Sequence, residues 1–214
     1  MNDGAPFPLH AYVVDDDEGF RASLELLLQS HGWIVESFGS AGEFAERAEA
    51  VEPGIVLLDV NLGTASGLDF LEECPVDLDR FAVLMMTGAG AIQTAVRSIK
   101  AGAVDFVEKT LPSAELIGRL REIHEQFAAS FGDRAARWEA RRFAKRLSAR
   151  EREVLERLLS GASNKLIARD LGLSPRTVEM HRARMLHKLG AATTAEAVEI
   201  GRRAGLAPVA PVTN

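Results

Sequence analysis

The sequence predicts a doubly wound α/β domain on a five-stranded parallel sheet, followed by a smaller all-α domain of four helices. Three observations carry this. Through residue 125, short apolar runs alternate with helical patterns, as in parallel strands joined by crossover helices. From residue 148, cap signals recur instead: Ser148, Ser174 and Thr193 each precede a helical stretch. Between the two regions the charge changes sign. Residues 1–130 carry 22 acidic and 8 basic side chains, a balance of −14, whereas residues 131–214 carry 9 and 17, a balance of +8. An acidic half joined to a basic half separates two domains and turns the second toward a polyanion.

Strands are predicted at His10–Val14, Ile34–Phe38, residues 55–59, Phe81–Thr87 and residues 104–107. Helices are expected over residues 20–30 and 41–50, over Gly67–Glu73 and Ile92–Lys100, and from Ser113 onward. Residues 113–147 read as largely helical, with a break at Gly132-Asp133; arginines cluster from Arg134, interrupted by Trp138 and Phe143. Ser148 and Glu151 have capping-box spacing and open a helix through Leu159. A second helix runs over residues 164–171 and Gly172 turns the chain. Ser174 is an N-cap and Pro175 suits the first position of the third helix, which Gly190 ends after Leu189. Thr193-Thr194 opens the fourth, over residues 193–204. Two short helices joined by a tight glycine-containing turn read as helix-turn-helix. The expected organisation is residues 1–125 as the α/β domain, 126–147 as a helical linker, 148–207 as the helical domain and 208–214 as a disordered tail.

The single cysteine, Cys74, excludes an internal disulfide framework and suits a reducing cytosol. The N-terminus lacks a basic segment followed by an apolar core, so a signal peptide is not expected. No run approaches about 18 apolar residues, the length a membrane span needs. These features predict a cytoplasmic protein without membrane contact.

In doubly wound sheets the ligand site lies beyond the carboxyl ends of the strands. Asp15 and Asp16 follow the first strand, Asp59 ends the third (IVLLDVNLG), Thr87 ends the fourth (VLMMTGAG) and Lys109 follows the fifth (VDFVEKT). Three carboxylates on one rim repel unless a cation joins them. A hard, oxygen-seeking ion such as Mg²⁺ fits, because it takes one or two carboxylates and leaves positions for phosphate oxygens. With Lys109 and Thr87 as donors, the chemistry implied is phosphoryl transfer to Asp59.

The segments VVDDDE, LLDVNLGTASG, MMTGAG and GAVDFVEKT, in this order, resemble the flavodoxin-like receiver domain of bacterial two-component response regulators over residues 9 to about 125. The resemblance implies Asp59 as phosphoacceptor, with Asp15, Asp16, Asp59 and the backbone carbonyl of Asn61 as the Mg²⁺ site. It also implies Thr87 and Lys109 as phosphate partners and Phe106 as the switch aromatic. Two positions depart from the family pattern. Leu62-Gly63 stands where Met-Pro is common, and Thr110 follows the lysine where proline is common.

On the third helix of the basic half, Val178, His181, Met185 and Leu189 form one stripe and are expected in the core. Arg176, Met180, Ala183, Arg184 and His187 face the other way, a mixture suited to the major groove. Glu179 lies at the edge, and Lys165, Arg182 and Lys188 are expected at phosphates. Residues 147–190 resemble the LuxR-type DNA-binding domain, and the pairing with a receiver resembles the FixJ/NarL group of response regulators. The group implies a non-enzymatic transcription factor: a histidine kinase phosphorylates Asp59, and the chain dimerises and binds a double-stranded operator, with RNA polymerase as a further partner. A phosphorylation-independent regulator is the alternative, motivated by Leu62-Gly63 and Thr110. A phosphohydrolase using Asp59 as nucleophile is disfavoured, because Asn61 stands where a second acid is needed.

Overall fold

The computed structural model describes residues 8–73, 76–88 and 92–210. Cys74, the last residues of MMTGAG and the end of the tail therefore lie outside the described residues. The chain divides into two compact units, Met1–Gly132 and Asp133–Asn214.

The first unit alternates strands and helices: β1 (His10–Val14), α1 (Glu18–Ser30), β2 (Ile34–Phe38), α2 (Ala41–Arg47), β3 (Gly54–Asp59), β4 (Asn61–Leu62), β5 (Ala65–Ser66), α3 (Gly67–Glu73), β6 (Phe81–Thr87), α4 (Ile92–Lys100), β7 (Asp105–Glu108) and α5 (Ser113–Ala129). The sheet order is β2-β1-β3-β6-β7, and every pairing within it is parallel. β3 and β6 are buried along their whole length, as strands covered on both faces must be. On one face α1 and α5 bring Leu24, Leu28, Leu120 and Phe127 against the sheet beside Trp33. On the other, α2 and α3 bring Phe44, Leu68 and Leu71 against Tyr12, Phe38 and Phe81. Each fully buried side chain of this size contributes about 1.5–3 kcal/mol.

Element boundaries shift by a few residues from the sequence reading. α1 begins at Glu18 because the Asp17 carboxylate caps it, accepting from the Phe20 N–H. α2 ends at Arg47, and β7 covers Asp105–Glu108. The antiparallel β4–β5 pair, Asn61 opposite Ser66 and Leu62 opposite Ala65, was not expected.

The connector also differs. The helical break falls at Ser130, whose hydroxyl bonds the Gln126 and Phe127 carbonyls, and Gly132 lies inside α6 (Phe131–Lys145). Phe127 and Phe131 pack on the core of the first unit, whereas Phe143, Ala144 and Leu147 are buried or packed in the second. Residues read as a linker are thus shared between the two units.

The second unit continues with α7 (Ala149–Leu159), α8 (Asn164–Leu171), α9 (Pro175–Leu189) and α10 (Thr194–Arg203). The capping box of Ser148 and Glu151 is formed. Between α8 and α9, Gly172 takes φ 65°, a left-handed conformation that glycine adopts without steric cost. Val154, Leu155, Ile167, Val178, Met185, Leu189 and Ala197 form the core. His181, expected in that stripe, is only half-buried. The expected disorder from residue 208 does not hold at Val209, whose N–H donates to the Glu156 carbonyl at 3.0 Å and whose carbonyl accepts from Ser160 Oγ at 2.9 Å. Residues 211–214 lie outside the described residues.

Candidate functional site

Parallel pairing aligns the carboxyl ends of β1, β3, β6 and β7, and the rim residues meet there. Asp15, Asp16 and Asp59 each offer a carboxylate oxygen within 4.8 Å of the others. Asp15 and Asp59 are buried and Asp16 is exposed. Lys109 Nζ bridges the buried pair, 2.5 Å from Asp15 Oδ2 and 2.9 Å from Asp59 Oδ2. No peptide bond among the described residues is cis, and with Thr110 next in the chain Lys109 still reaches both carboxylates. Thr87 is buried at the end of β6, and its carbonyl accepts from the Lys109 N–H at 2.7 Å. Phe106 is half-buried in β7 and packs against the α2–α3 side of the sheet. Asn61 is exposed in β4, two residues past Asp59.

The electrostatics of the rim are those of a site waiting for charge. Burial raises the Asp59 pKa above the ordinary carboxylate value, Lys109 pulls it back, and the neighbouring Asp15 adds to the rise. Burial pulls Lys109 down, but its hydrogen bonds to Asp15 and Asp59 outweigh that and leave it raised. Asp59 Oδ1 is buried without a hydrogen-bond partner. A buried acceptor left so costs about 1–3 kcal/mol. Three clustered carboxylates and one unsatisfied buried oxygen fit a hard divalent cation with an added phosphoryl group.

Local geometry explains the strand-end sequence. Gly67 donates its N–H to the Val60 carbonyl at 2.9 Å, and a Cβ at Gly67 would lie 1.9 Å from the Asp59 carbonyl oxygen. Only glycine lets α3 start against the end of β3. Phe20 and Arg21 belong to the site although the sequence reading passed over them. The Phe20 ring lies 4.5 Å from Lys109 Nζ, and Arg21 Nη1 donates to the Asp15 carbonyl at 2.5 Å. The signal was present in Asp17: as N-cap it places residues three and four further on over the acids.

In the second unit, α9 presents Arg176, Glu179, Met180, Ala183, Arg184 and His187 as exposed residues, and Lys165 is exposed on α8. Two of the residues expected at phosphates make contacts within the unit. Arg182 is half-buried and its guanidinium donates to Asn164 Oδ1 and Thr194 Oγ1, tying α9 to α8 and α10. Lys188 Nζ is 2.6 Å from Glu151 Oε2, tying α9 to the capping box of α7. The same outward periodicity that marks a groove-facing helix does not distinguish a cation that curls back onto a neighbouring helix.

Comparison with known proteins resolves what these two units are. The response regulator receiver domain model matches residues 11–121, and the model of bacterial regulatory proteins of the luxR family matches residues 145–200. The chain belongs to the two-component response regulators. It is 39% identical to the transcriptional regulatory protein FixJ of Azorhizobium caulinodans, across 97% of this chain and 99% of that protein. It is 38% identical to FixJ of Bradyrhizobium diazoefficiens, across 92% and 96%. Among solved structures, full-length FixJ from B. japonicum superposes with TM-score 0.53 at 37% identity, covering 92% of this chain and 97% of that one. This response regulator is therefore FixJ-like, a transcriptional regulator with a receiver and a LuxR-type DNA-binding domain.

Proposed function

We propose that a sensor histidine kinase phosphorylates Asp59 and that this controls operator binding through α9. One observation carries the reading: Asp59 ends a central strand, buried, with one oxygen on Lys109 and the other without a partner, inside an acidic cluster. An Asp59 oxygen attacks the phosphorus of a phosphohistidine; the O–P bond forms as the N–P bond breaks. Thr87 and Lys109 donate to the phosphoryl oxygens. Asp15, Asp16, Asp59 and the Asn61 carbonyl would hold Mg²⁺, which would supply positive charge to offset that of the phosphoryl oxygens. The product carries a charge of about −1.5 to −2 where the carboxylate carried −1, a net gain of about −0.5 to −1 now placed on three acceptor oxygens, and Thr87 and Phe106 repack around it.

Ile92, Val96 and Ile99 form one stripe on α4, exposed by 85%, 49% and 49%, beside Val104 at 44%. Such a surface suits a second copy of the chain. A solved relative, the beryllofluoride-activated NtrC4 receiver domain, is a dimer (25% identity, TM-score 0.52). Dimerisation places two α9 helices about one DNA turn apart. Arg176, Glu179, Met180, Ala183, Arg184 and His187 face the bases, and Lys165 faces a phosphate. RNA polymerase at the bound promoter is the further partner. The protein works in the cytoplasm; no helix among the described residues is long and apolar enough to cross a membrane. Tandem mass spectrometry of the chain treated with a small-molecule phosphodonor and Mg²⁺ tests the site. The phosphoryl group is expected on Asp59; finding it on another residue, or none, overturns the reading.

A further inference from the structure

Lys109 does more here than reach the phosphoacceptor. Its ammonium lies 2.5 Å from Asp15 and 2.9 Å from Asp59, so one cation already pairs with two of the three clustered carboxylates. A divalent ion drawn to the same oxygens meets a resident cation. The lysine is in turn held from above by the Phe20 ring, whose centroid is 4.5 Å from Nζ. That distance is within the range for an ammonium on an aromatic face. Phe20 is itself fixed: its N–H donates to Asp17 Oδ1 at 3.0 Å, and its side chain packs on the α1–α5 side of the sheet. The next residue, Arg21, holds the Asp15 backbone carbonyl. The first turn of α1 thus grips both the lysine and the strand end that carries its partner acid.

We infer that Phe20 is a positioning residue for Lys109, holding the ammonium between Asp15 and Asp59 so that a divalent ion must displace it from Asp15. This rests on the metal-site reading above. Two cations cannot share the buried Asp15 Oδ2 at contact distance without strong mutual repulsion. Whatever steadies the lysine therefore weakens the metal. Phe20→Leu removes the ring attraction while keeping most of the apolar volume, and it tightens Mg²⁺ binding by roughly two- to fivefold. Phe20→Tyr keeps the ring and leaves the affinity at the wild-type value. Lys109→Met removes the competitor and tightens binding further. In that background Phe20→Leu has no additional effect, because the ring has no ammonium left to hold.

Calorimetric titration of the full chain with MgCl₂, at fixed pH and ionic strength, tests this in wild type, the two Phe20 variants, Lys109→Met and the Phe20→Leu/Lys109→Met double variant. Asp15→Asn serves as the control for the site. The expected result is tightening in Phe20→Leu that vanishes in the double variant. Wild-type affinity in Phe20→Leu overturns the inference, as does equal tightening with and without Lys109, which assigns the effect to packing. Should Phe20→Leu lose its native circular dichroism, Phe20→Met carries the same test. If wild type takes up no Mg²⁺ that Asp15→Asn abolishes, the metal-site reading fails, a result distinct from a Phe20 effect that is absent.

Discussion

The rim of the receiver and the outward face of α9 are the two surfaces on which the proposed function rests, but they are built in opposite ways. At the rim, Asp15 and Asp59 are 1% and 4% exposed, and each is committed to Lys109. Burial and close neighbours move the pKa values of Asp59 and Lys109 before any ligand arrives. On α9 the residues proposed to read DNA stand in water, and their interactions are left to the partner. A buried site carries its chemistry in its own contacts, whereas an exposed one carries it in spacing. Substitutions at the rim should therefore change stability and switching together, and those on α9 should change binding alone.

The largest expected effect sharpens the rim side of that contrast. Gly67→Ala forces a methyl group into the Asp59 carbonyl, 1.9 Å away in the present backbone. Overpacking of this kind costs about 3 kcal/mol, read as a lower urea midpoint. A midpoint equal to wild type would show that the β3–α3 junction yields more easily than its geometry implies. On the α9 side, Arg176→Ala and Arg184→Ala should each weaken operator binding by about 1–3 kcal/mol and relax base preference. Their melting temperatures should stay within error of wild type.

Lys188 tests the boundary between the two classes. Its 37% exposed side chain binds the buried Glu151, whose pKa burial raises but whose bonds to Lys188 and Ser148 bring below the ordinary value. Lys188→Ala should cost about 1 kcal/mol of folding stability, after discounting for solvent screening. The slope of operator affinity against salt should not change. Glu151 is a depressed acid, so its contribution is present above the ordinary glutamate value and disappears as pH falls through its lowered one. Lys188→Ala should flatten that acid loss in a pH series of thermal melts. If it reduces the salt slope instead, the lysine contacts phosphate and the inward pairing is incidental.

The smallest effect concerns the carboxylate itself. Asp59 has a raised pKa, so it favours folding when protonated, and that contribution is lost as pH rises through the raised value. Without metal at neutral pH, Asp59→Asn should therefore melt slightly above wild type. A lower melting point would mean that the Lys109 hydrogen bond outweighs the burial of charge.

The same contrast explains what the sequence made legible. β3 and β6 are visible because strands covered on both faces need unbroken apolar runs, and the rim follows because acids and Lys109 stand at strand ends. The helices α7 to α10 are visible because Ser148, Ser174, Thr193 and Gly172 are local cap and turn signals. What stayed hidden depends on contacts distant in sequence or too short to set a period. The β4–β5 pair spans two residues per strand. Phe20 reads as one more apolar helix residue until Lys109, far along the chain, arrives over its ring. Arg182 and Lys188 read as phosphate-contacting cations, and their partners stay hidden because a helical wheel does not contain Asn164, Thr194 or Glu151. The break at Ser130 was placed at Gly132-Asp133 because glycine is the stronger punctuator on paper.

The most direct test of phosphorylation as the switch is solution mass by light scattering, with and without Mg²⁺ and beryllofluoride, on wild type and Asp59→Asn. A shift from monomer to dimer in wild type, absent in Asp59→Asn, is the predicted result. The same mass in wild type under both conditions, or an equal shift in Asp59→Asn, would contradict it.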